Sequence, residues 1–380
     1  MIEVQTLAKT LTIPSQLTLD RQPPTLILGG GFTGLFTALH LSHQHYKIPT
    51  ILIDRSSRFI FKSLPYEFLS DELNTKYICP RYDTLLHESG IEFIQDMIQS
   101  IDLQQRQVQL ASGLHYNYGN LVLSLGSVAA YFDVEGAEEY TLPFRTTEDA
   151  VALAKQLRNC LQRAIHTQKP QQQALLTVAI VGAGRTGIEL AATLADLLPN
   201  WYAALGSNVA DIRVVVIQRE QEILKGDSDS LQQTAQTALR ERKVPVEVLL
   251  ATEAIAVRRN TVVMKRNNHI EQLSAATIIW TTGSAIDPLI STLSIPEAHH
   301  DRQGRLKLTN ALQLLDFPEV FAGGDCTVME QYPATSQVAY QQGATIAHNL
   351  QALAEGHSLL PAEIGLRENL MKLGLEEGRS

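Results

Sequence analysis

The chain has 380 residues, 44% of them hydrophobic, which is enough for two or three globular domains with sizeable cores. Its 31 Lys and Arg residues against 40 Asp and Glu give a net charge of −9, which argues against nucleic acid as a partner because phosphate binding requires a basic face. The three cysteines are widely separated, which excludes a disulfide framework or a CxxC pair. The sequence contains no run of about eighteen apolar residues, so it predicts no membrane-spanning helix.

The N-terminal residues 1–23 contain Lys9 and Asp20 and lack the unbroken apolar core of a secretory signal. We interpret them as a mobile leader.

The first chemical motif follows in TLILGGGFTGLFTALHL, residues 25–41. A short apolar strand leads into Gly29, Gly31 and Gly34 at GxGxxG spacing, and an apolar run of helical period follows. The first glycine allows a sharp turn, the second lets a pyrophosphate approach the backbone, and the third allows close packing of helix and strand. This pattern predicts a dinucleotide site with its phosphates at the helix N-terminus.

The next strand ends in Asp54, about twenty residues after the last glycine, which is the usual place of a ribose-binding acid. Such a carboxylate can hold the two hydroxyls of an adenosine ribose. We therefore expect FAD, or NAD without a 2'-phosphate, at this first unit.

A second copy of the motif lies in TVAIVGAGRTGIELAATL, residues 177–194, with Gly182, Gly184 and Gly187 at the same spacing. Its second strand reads VVVIQRE, residues 214–220, and carries Gln218 and Arg219 where a carboxylate is common. Gln218 would not repel a 2'-phosphate, and a guanidinium can bind one in a fork. NADPH and NADH are therefore both expected as donors, although alternation along a strand leaves open that Arg219 faces solvent.

Three further segments are predicted to be strands that end in glycine. These are LVLSLGS (121–127) with Gly126, TIIWTTGS (277–284) with Gly283, and FPEVFAGGDC (317–326) with Gly324 and Asp325. The stretch YPATSQVAYQQGATIAHNL that follows predicts a Pro-initiated helix with one apolar stripe. The N-terminus of such a helix would favour a negative charge placed near it.

In their order, GGGFTGL, GAGRTGIE and FAGGD resemble the motifs of the type II NAD(P)H dehydrogenases, which are flavoproteins with two dinucleotide-binding domains. The resemblance spans residues 25 to about 350. It implies FAD at the first motif, NAD(P)H at the second, and Asp325 near the ribityl chain of the flavin. It implies a hydride transfer from NAD(P)H to FAD, followed by two-electron reduction of a quinone.

The resemblance also implies roles for residues of two helices. Glu189 matches a family glutamate near nicotinamide and flavin, with a role in cofactor positioning or proton relay. Gln337 and Gln341 in SQVAYQ match a quinone-site AQxAxQ motif, with Ser336 in place of Ala. Tyr340 is a second candidate proton donor, and packing is the alternative for it.

The implied fold is α/β, with two Rossmann-like dinucleotide-binding domains, the second inserted in the first, and a C-terminal helical segment. The predicted parts are a leader (1–23), the first part of the FAD-binding domain (24–145), the NAD(P)H-binding domain (146–290), the second part of the FAD-binding domain with the quinone-site helix (291–350) and a C-terminal tail (351–380).

Two connecting segments, residues 59–73 and 131–153, are similar to the cyanobacterial and plastid branch that reduces demethylphylloquinone in phylloquinone biosynthesis. A membrane quinone is then the expected substrate. We expect a cytoplasmic enzyme peripheral to the cytoplasmic or thylakoid membrane. The last residues, LMKLGLEEGRS, resemble only the beginning of a membrane-contact extension in that branch, and the oligomeric state stays open, a homodimer included.

Other functions of the same fold stay open at this point. A sulfide:quinone reductase needs a pair of redox cysteines beside the flavin, and a ferredoxin-type reductase needs a basic docking surface. A flavoprotein sensor would bind the cofactor without turnover. No metal is expected, because His40, His43 and His45 cluster without a carboxylate partner.

Overall fold

The computed structural model describes residues 22–60, 69, 79–207, 209–366, 371–373 and 378–379. The predicted leader therefore lies outside the described residues except for its last two positions. The same holds for most of the 59–73 segment and for much of the sequence after residue 366.

The described strands are β1 (Thr25–Leu28), β2 (Thr50–Asp54), β3 (Ile91–Gln95), β4 (Ile98–Asp102), β5 (Gln107–Leu110), β6 (His115–Asn117), β7 (Asn120–Leu123), β8 (Ser127–Ala129), β9 (Leu142–Pro143), β10 (Thr177–Val181), β11 (Arg213–Ile217), β12 (Glu247–Leu249), β13 (Thr252–Arg258), β14 (Thr261–Arg266), β15 (His269–Ser274), β16 (Thr277–Trp280), β17 (Ser284–Ile286), β18 (Gln313–Leu314), β19 (Phe317–Ala322), β20 (Met371–Lys372) and β21 (Gly378–Arg379).

The described α-helices are α1 (Phe32–His43), α2 (Tyr82–Leu85), α3 (Ala137–Tyr140), α4 (Thr147–Ile165), α5 (Gln171–Leu175), α6 (Arg185–Ala204), α7 (Asp229–Arg240), α8 (Pro288–Ser291) and α9 (Ser336–Glu355). Short 3-10 helices span Val209–Asp211 and Glu297–His299. Within this described part of the chain, no helix has both the length and the hydropathy needed to cross a membrane.

The first sheet has the strand order β18-β19-β7-β1-β2-β3 and draws its strands from both ends of the chain. Its pairs are parallel except for the antiparallel edge pair β18 and β19. The helices α1 and α9 bury Leu35, Ile346 and Leu350 against one face. The other face packs against the small antiparallel sheet β4-β5-β6.

The second sheet has the strand order β12-β11-β10-β16-β9 and is parallel throughout. The helices α4, α6 and α7 cover one face, and the antiparallel sheet β13-β14-β15 covers the other. Its strands all lie in sequence between β7 and β18 of the first sheet. The α/β fold with one dinucleotide unit inserted in the other is therefore confirmed.

A two-stranded antiparallel ribbon, β8 and β17, connects the two units, with Ser127 opposite Ile286 and Ala129 opposite Ser284. The sequence predicted single strands through LVLSLGS and TIIWTTGS, and this was wrong in one respect. Each strand stops before its glycine, because Gly126 (φ +71°) and Gly283 (φ +80°) turn the chain into the ribbon.

The sequence predicted that the helix α9 begins at a proline, but it begins at Ser336. The Thr335 side chain caps it by accepting a hydrogen bond from the backbone N–H of Val338 at 3.3 Å. The predicted apolar stripe is buried as expected.

Candidate functional site

The first glycine turn lies between β1 and α1 at the carboxyl edge of the first sheet. A Cβ at Gly29 would lie 2.4 Å from the Ser124 carbonyl oxygen, and one at Gly34 would lie 1.9 Å from the Gly29 oxygen. A Cβ at Gly31 would meet no atom of the described residues within 4 Å. Two glycines therefore serve the turn itself, and Gly31 leaves open space at the N-terminus of α1, where a pyrophosphate would approach.

The carboxylate of Asp54 is fixed against this turn. Its two oxygens accept hydrogen bonds from the backbone N–H groups of Gly30 (2.6 Å) and Ser56 (2.7 Å). Burial raises the pKa of Asp54, and these two hydrogen bonds act in the opposite direction. The carboxylate is therefore held in one orientation against the turn. Tyr82, which the sequence analysis missed, supports the turn by donating to the Gly30 oxygen at 2.6 Å.

The second glycine turn, between β10 and α6, repeats this geometry. Gly182 has φ +111°, and a Cβ at Gly187 would lie 2.0 Å from the Gly182 oxygen. At Gly184 a Cβ would again find no described atom within 4 Å. Both turns thus fit a dinucleotide pyrophosphate in the same way. Glu189 lies half-buried in the first turns of α6.

Each turn is braced by one hydroxyl group from the neighbouring strand end. Ser124 Oγ donates to the Leu28 and Gly29 oxygens at 2.9 and 2.8 Å. Thr281 Oγ1 stands in the same relation to the Val181 and Gly182 oxygens, at 3.0 and 3.1 Å. The sequence analysis missed both hydroxyls, although SLG and TTG occupy equivalent places in the two units.

Gln218 occupies in the second unit the place that Asp54 has in the first. Its Oε1 accepts from the Ala183 N–H at 3.1 Å, so an uncharged amide stands where the first unit has a carboxylate. The side chain of Arg219 is 72% exposed, and its Nη2 lies 3.5 Å from Glu220 Oε1. Lys225 Nζ lies 3.3 Å from the other Glu220 oxygen, so two cations share one carboxylate beside this strand end.

The FAGGD turn connects β19 with the segment that leads into α9. Gly324 has φ +82°, and its N–H donates to Gln342 Oε1 at 2.7 Å. Gln342 is buried and directly follows the SQVAYQ motif, and the sequence analysis did not single it out. Asp325 Oδ2 accepts from Ser127 Oγ at 2.8 Å, which brings this turn to the start of β8.

Arg145, which the sequence analysis also missed, joins the same group. Its Nη2 donates to Ser127 Oγ at 2.7 Å and its Nη1 to the Gly283 oxygen at 3.3 Å. The predicted residues Gly126, Gly283 and Asp325 are thereby brought together at the ribbon between the two units.

The candidate quinone-site residues lie on α9. Gln341 and Gly365 form a reciprocal pair, with Nε2 to the Gly365 oxygen at 2.9 Å and the Gly365 N–H to Oε1 at 2.8 Å. Gln337 Nε2 lies 3.5 Å from the same oxygen. Tyr340 points elsewhere: it is 40% exposed, and its ring centroid is 4.6 Å from that of Phe36 on α1. The two glutamines therefore share one face, and Tyr340 belongs to another.

The residues that the structure describes contain no group of three or more His, Cys, Asp or Glu side chains arranged to hold a metal ion. The three histidines of the first unit lie at the end of α1, where His43 is the last helical residue.

Comparison with known proteins places this geometry in a family. The model of the pyridine nucleotide-disulphide oxidoreductases matches residues 23–343. Demethylphylloquinone reductase NdbB of Synechocystis sp. is 31% identical, over 94% of this chain and 86% of its own length. Alternative NAD(P)H-ubiquinone oxidoreductase C1 of Arabidopsis thaliana is 28% identical, over 93% of this chain and 72% of its own.

Solved structures show the same fold at lower identity. NDH2 from Plasmodium falciparum in complex with NADH has a TM-score of 0.82 at 18% identity, covering 93% of this chain and 89% of that one. The sulfide:quinone oxidoreductase of Aquifex aeolicus has a TM-score of 0.72 at 19% identity, covering 88% and 77%. The chain therefore belongs to the pyridine nucleotide-disulphide oxidoreductase family and, within it, to the type II NAD(P)H:quinone oxidoreductases, enzymes that use FAD and NAD(P)H.

Proposed function

We propose that this enzyme reduces a prenylated naphthoquinone of the demethylphylloquinone type with electrons from NAD(P)H, as a step in phylloquinone biosynthesis. The observation that carries the proposal is the 31% identity, over nearly the whole of both chains, to a demethylphylloquinone reductase. FAD supplies the chemistry when bound, because it accepts a hydride from NAD(P)H and passes two electrons to a quinone.

The residues of the first unit are proposed to hold FAD. Asp54 would bind the adenosine ribose, the N-terminus of α1 at Gly31 the pyrophosphate, and Asp325 the ribityl chain. The open space at Gly31 and the two amide hydrogen bonds that orient Asp54 support this assignment. Glu189 is proposed to position the nicotinamide or relay a proton.

The quinone is proposed to bind along the α9 face that carries Gln337 and Gln341. The Gly365 backbone, which pairs with the Gln341 side chain, would form a second wall of this proposed site. Tyr340 lies off this face, which favours a packing role with Phe36 over proton donation. The proposed acceptor is a membrane quinone, so we also propose that the enzyme contacts the cytoplasmic or thylakoid membrane. A homodimer is one assembly state compatible with this proposal.

Both NADPH and NADH are proposed as donors. An uncharged Gln218 does not repel a 2'-phosphate, and two cations, Arg219 and Lys225, lie around Glu220, two residues further along the chain. Gln218→Glu is expected to lower kcat/KM for NADPH about tenfold or more while changing that for NADH less than about threefold, since a like charge beside the phosphate at this half-buried position costs on the order of 1–2 kcal/mol. Gln221→Glu adds the same charge at an exposed position three residues further along and serves as the control. An equal loss with both donors would contradict the assignment of Gln218.

The substrate is tested by steady-state kinetics of the FAD-loaded enzyme with NAD(P)H as the electron donor and a demethylated prenyl naphthoquinone, a short-chain ubiquinone or a ferredoxin as the acceptor. A further assay replaces NAD(P)H with sulfide as the donor to the naphthoquinone. The proposal expects the highest kcat/KM with the naphthoquinone. A higher value with the benzoquinone would limit the assignment to general quinone reduction. Turnover with ferredoxin and none with the naphthoquinone, or reduction of the naphthoquinone by sulfide and not by NAD(P)H, would contradict the proposal.

A further inference from the structure

Arg145 occupies the place where the two dinucleotide-binding units meet. It directly precedes α4, whose N-cap is Thr146, and the Asp149 carboxylate accepts from the backbone N–H groups of both residues at 2.9 Å. This anchor fixes the backbone of Arg145 at the start of the inserted unit. The side chain is half-buried and extends towards the ribbon of β8 and β17.

The guanidinium group of Arg145 begins a chain of hydrogen bonds that runs through Ser127 to Asp325, the residue proposed to contact FAD. Arginine can only donate, so the bond from Nη2 to Ser127 Oγ makes that oxygen an acceptor. The Ser127 hydroxyl must then give its proton to Asp325 Oδ2, 2.8 Å away. Arg145 therefore sets the orientation of Ser127, and Ser127 holds the Asp325 carboxylate.

The charges along this chain bear on electron transfer. A carboxylate fixed beside the flavin disfavours the negative charge that FAD gains on reduction, in proportion to its proximity. The positive charge of Arg145 lies on the other side of Ser127, where it opposes the charge of Asp325. Burial lowers the pKa of Arg145, and the attraction of Asp325 acts in the opposite direction. Among the described residues, the hydrogen-bond acceptors of the guanidinium are neutral oxygens of Ser127, Gly283 and Ser284.

We propose that Arg145 is a positioning residue for FAD, which holds Asp325 through Ser127 and offsets the negative charge of Asp325, and so favours reduction of the bound flavin. The bond to the Gly283 oxygen ties the same side chain to the strand end of the NAD(P)H unit. One residue thus joins the geometry of both cofactor sites. The proposal depends on FAD binding and not on which quinone is the substrate.

The test is the midpoint potential of the bound flavin, measured with redox dyes in the FAD-loaded enzyme without NAD(P)H or quinone. Arg145→Gln is expected to lower the ratio of reduced to oxidised flavin about tenfold at a fixed potential, which is about 30 mV for a two-electron couple. Arg163→Gln removes the same charge from the exposed far end of α4 and is expected to leave the potential unchanged. An unchanged potential in Arg145→Gln, or an equal fall in Arg163→Gln, would overturn the proposal.

Two further variants separate charge from position. Ser127→Ala keeps the charge of Arg145 and breaks the chain, so it is expected to weaken FAD binding while changing the same ratio less than about threefold. If Arg145→Gln does not retain FAD, the potential is measured in Arg145→Lys. This variant keeps the positive charge but loses the paired N–H donors of the guanidinium. In Arg145→Lys, a ratio of reduced to oxidised flavin within about threefold of the wild-type ratio supports the proposal, and a tenfold fall in that ratio contradicts it.

Discussion

The clearest difference between the two nucleotide sites is one functional group at one position. Asp54 is the last residue of the second strand of its unit, and Gln218 directly follows the second strand of the other unit. Each side chain accepts a hydrogen bond from the backbone N–H of the residue after the first glycine of its turn. The carboxylate suits the two hydroxyls of a ribose, whereas the amide also tolerates a phosphate there. Two closely similar turns can therefore bind different dinucleotides.

The three cysteines are buried, and burial disfavours a redox role for them. Cys79, Cys160 and Cys326 expose at most 2% of their surface, and burial raises the pKa of all three, that of Cys326 to about 12. The thiolate needed for reaction is therefore scarce at neutral pH.

We expect iodoacetamide at pH 8 to leave quinone reductase activity within about 20% of the untreated enzyme, since thiols with raised pKa values react slowly. A thiol titration should detect fewer than one group in the folded protein and all three after denaturation. Loss of activity in parallel with modification of Cys326 would contradict this expectation and would reopen the sulfide:quinone alternative.

At the scale of elements, the close contact between α1 and α9 shapes the flavin end of the first unit. Thr33 Oγ1 donates to the Ala339 oxygen at 3.1 Å, and Thr37 Oγ1 donates to the Gly343 oxygen at 3.2 Å. A Cβ at Gly343 would lie 2.6 Å from the Thr33 oxygen, which is backbone and cannot easily move. The glycine therefore sets the distance between the two helices.

Gly343→Ala is expected to lower the free energy of unfolding by about 1–3 kcal/mol, because the added methyl group forces the two helices apart. This result is opposite to the usual gain of up to about 1 kcal/mol for Gly to Ala in a helix. Urea denaturation of the FAD-loaded protein measures it. Gly365→Ala, where a Cβ would have only ordinary contacts, is the control, and a stabilised Gly343→Ala protein would refute the role of the contact.

The sequence predicted the elements of each unit because their signals are local. Three glycines at fixed spacing and an acid about twenty residues later identify a turn, a helix start and a strand end. Arg145, Ser127 and Gln342 carry no such signal. Ser127 meets Asp325 across 198 positions of the chain, and Arg145 meets Gly283 across 138, so only the assembled fold brings them together.

At the scale of the whole molecule, FAD is expected to connect distant parts of the chain. Its phosphates are proposed to bind at Gly31, and its ribityl chain at Asp325 after β19. A ligand with contacts at both places stabilises the folded state of the entire first unit.

We therefore expect free FAD at about 100 times its dissociation constant to raise the free energy of unfolding of the apoprotein by about 2.7 kcal/mol. Riboflavin lacks the pyrophosphate and the adenosine and should give a much smaller increase at the same concentration. Thermal unfolding of the apoprotein with each ligand measures the difference. Equal effects of FAD and riboflavin would show that the first glycine turn does not bind the pyrophosphate.

The central claim is that one bound flavin passes electrons from NAD(P)H to a quinone. The most direct test is an anaerobic stopped-flow experiment in which the FAD-loaded enzyme meets NADPH or NADH first and a prenylated naphthoquinone second. The account predicts that the donor bleaches the flavin absorbance and that the quinone restores it. A flavin that neither donor bleaches, or one that stays bleached in the presence of the quinone, would contradict the account.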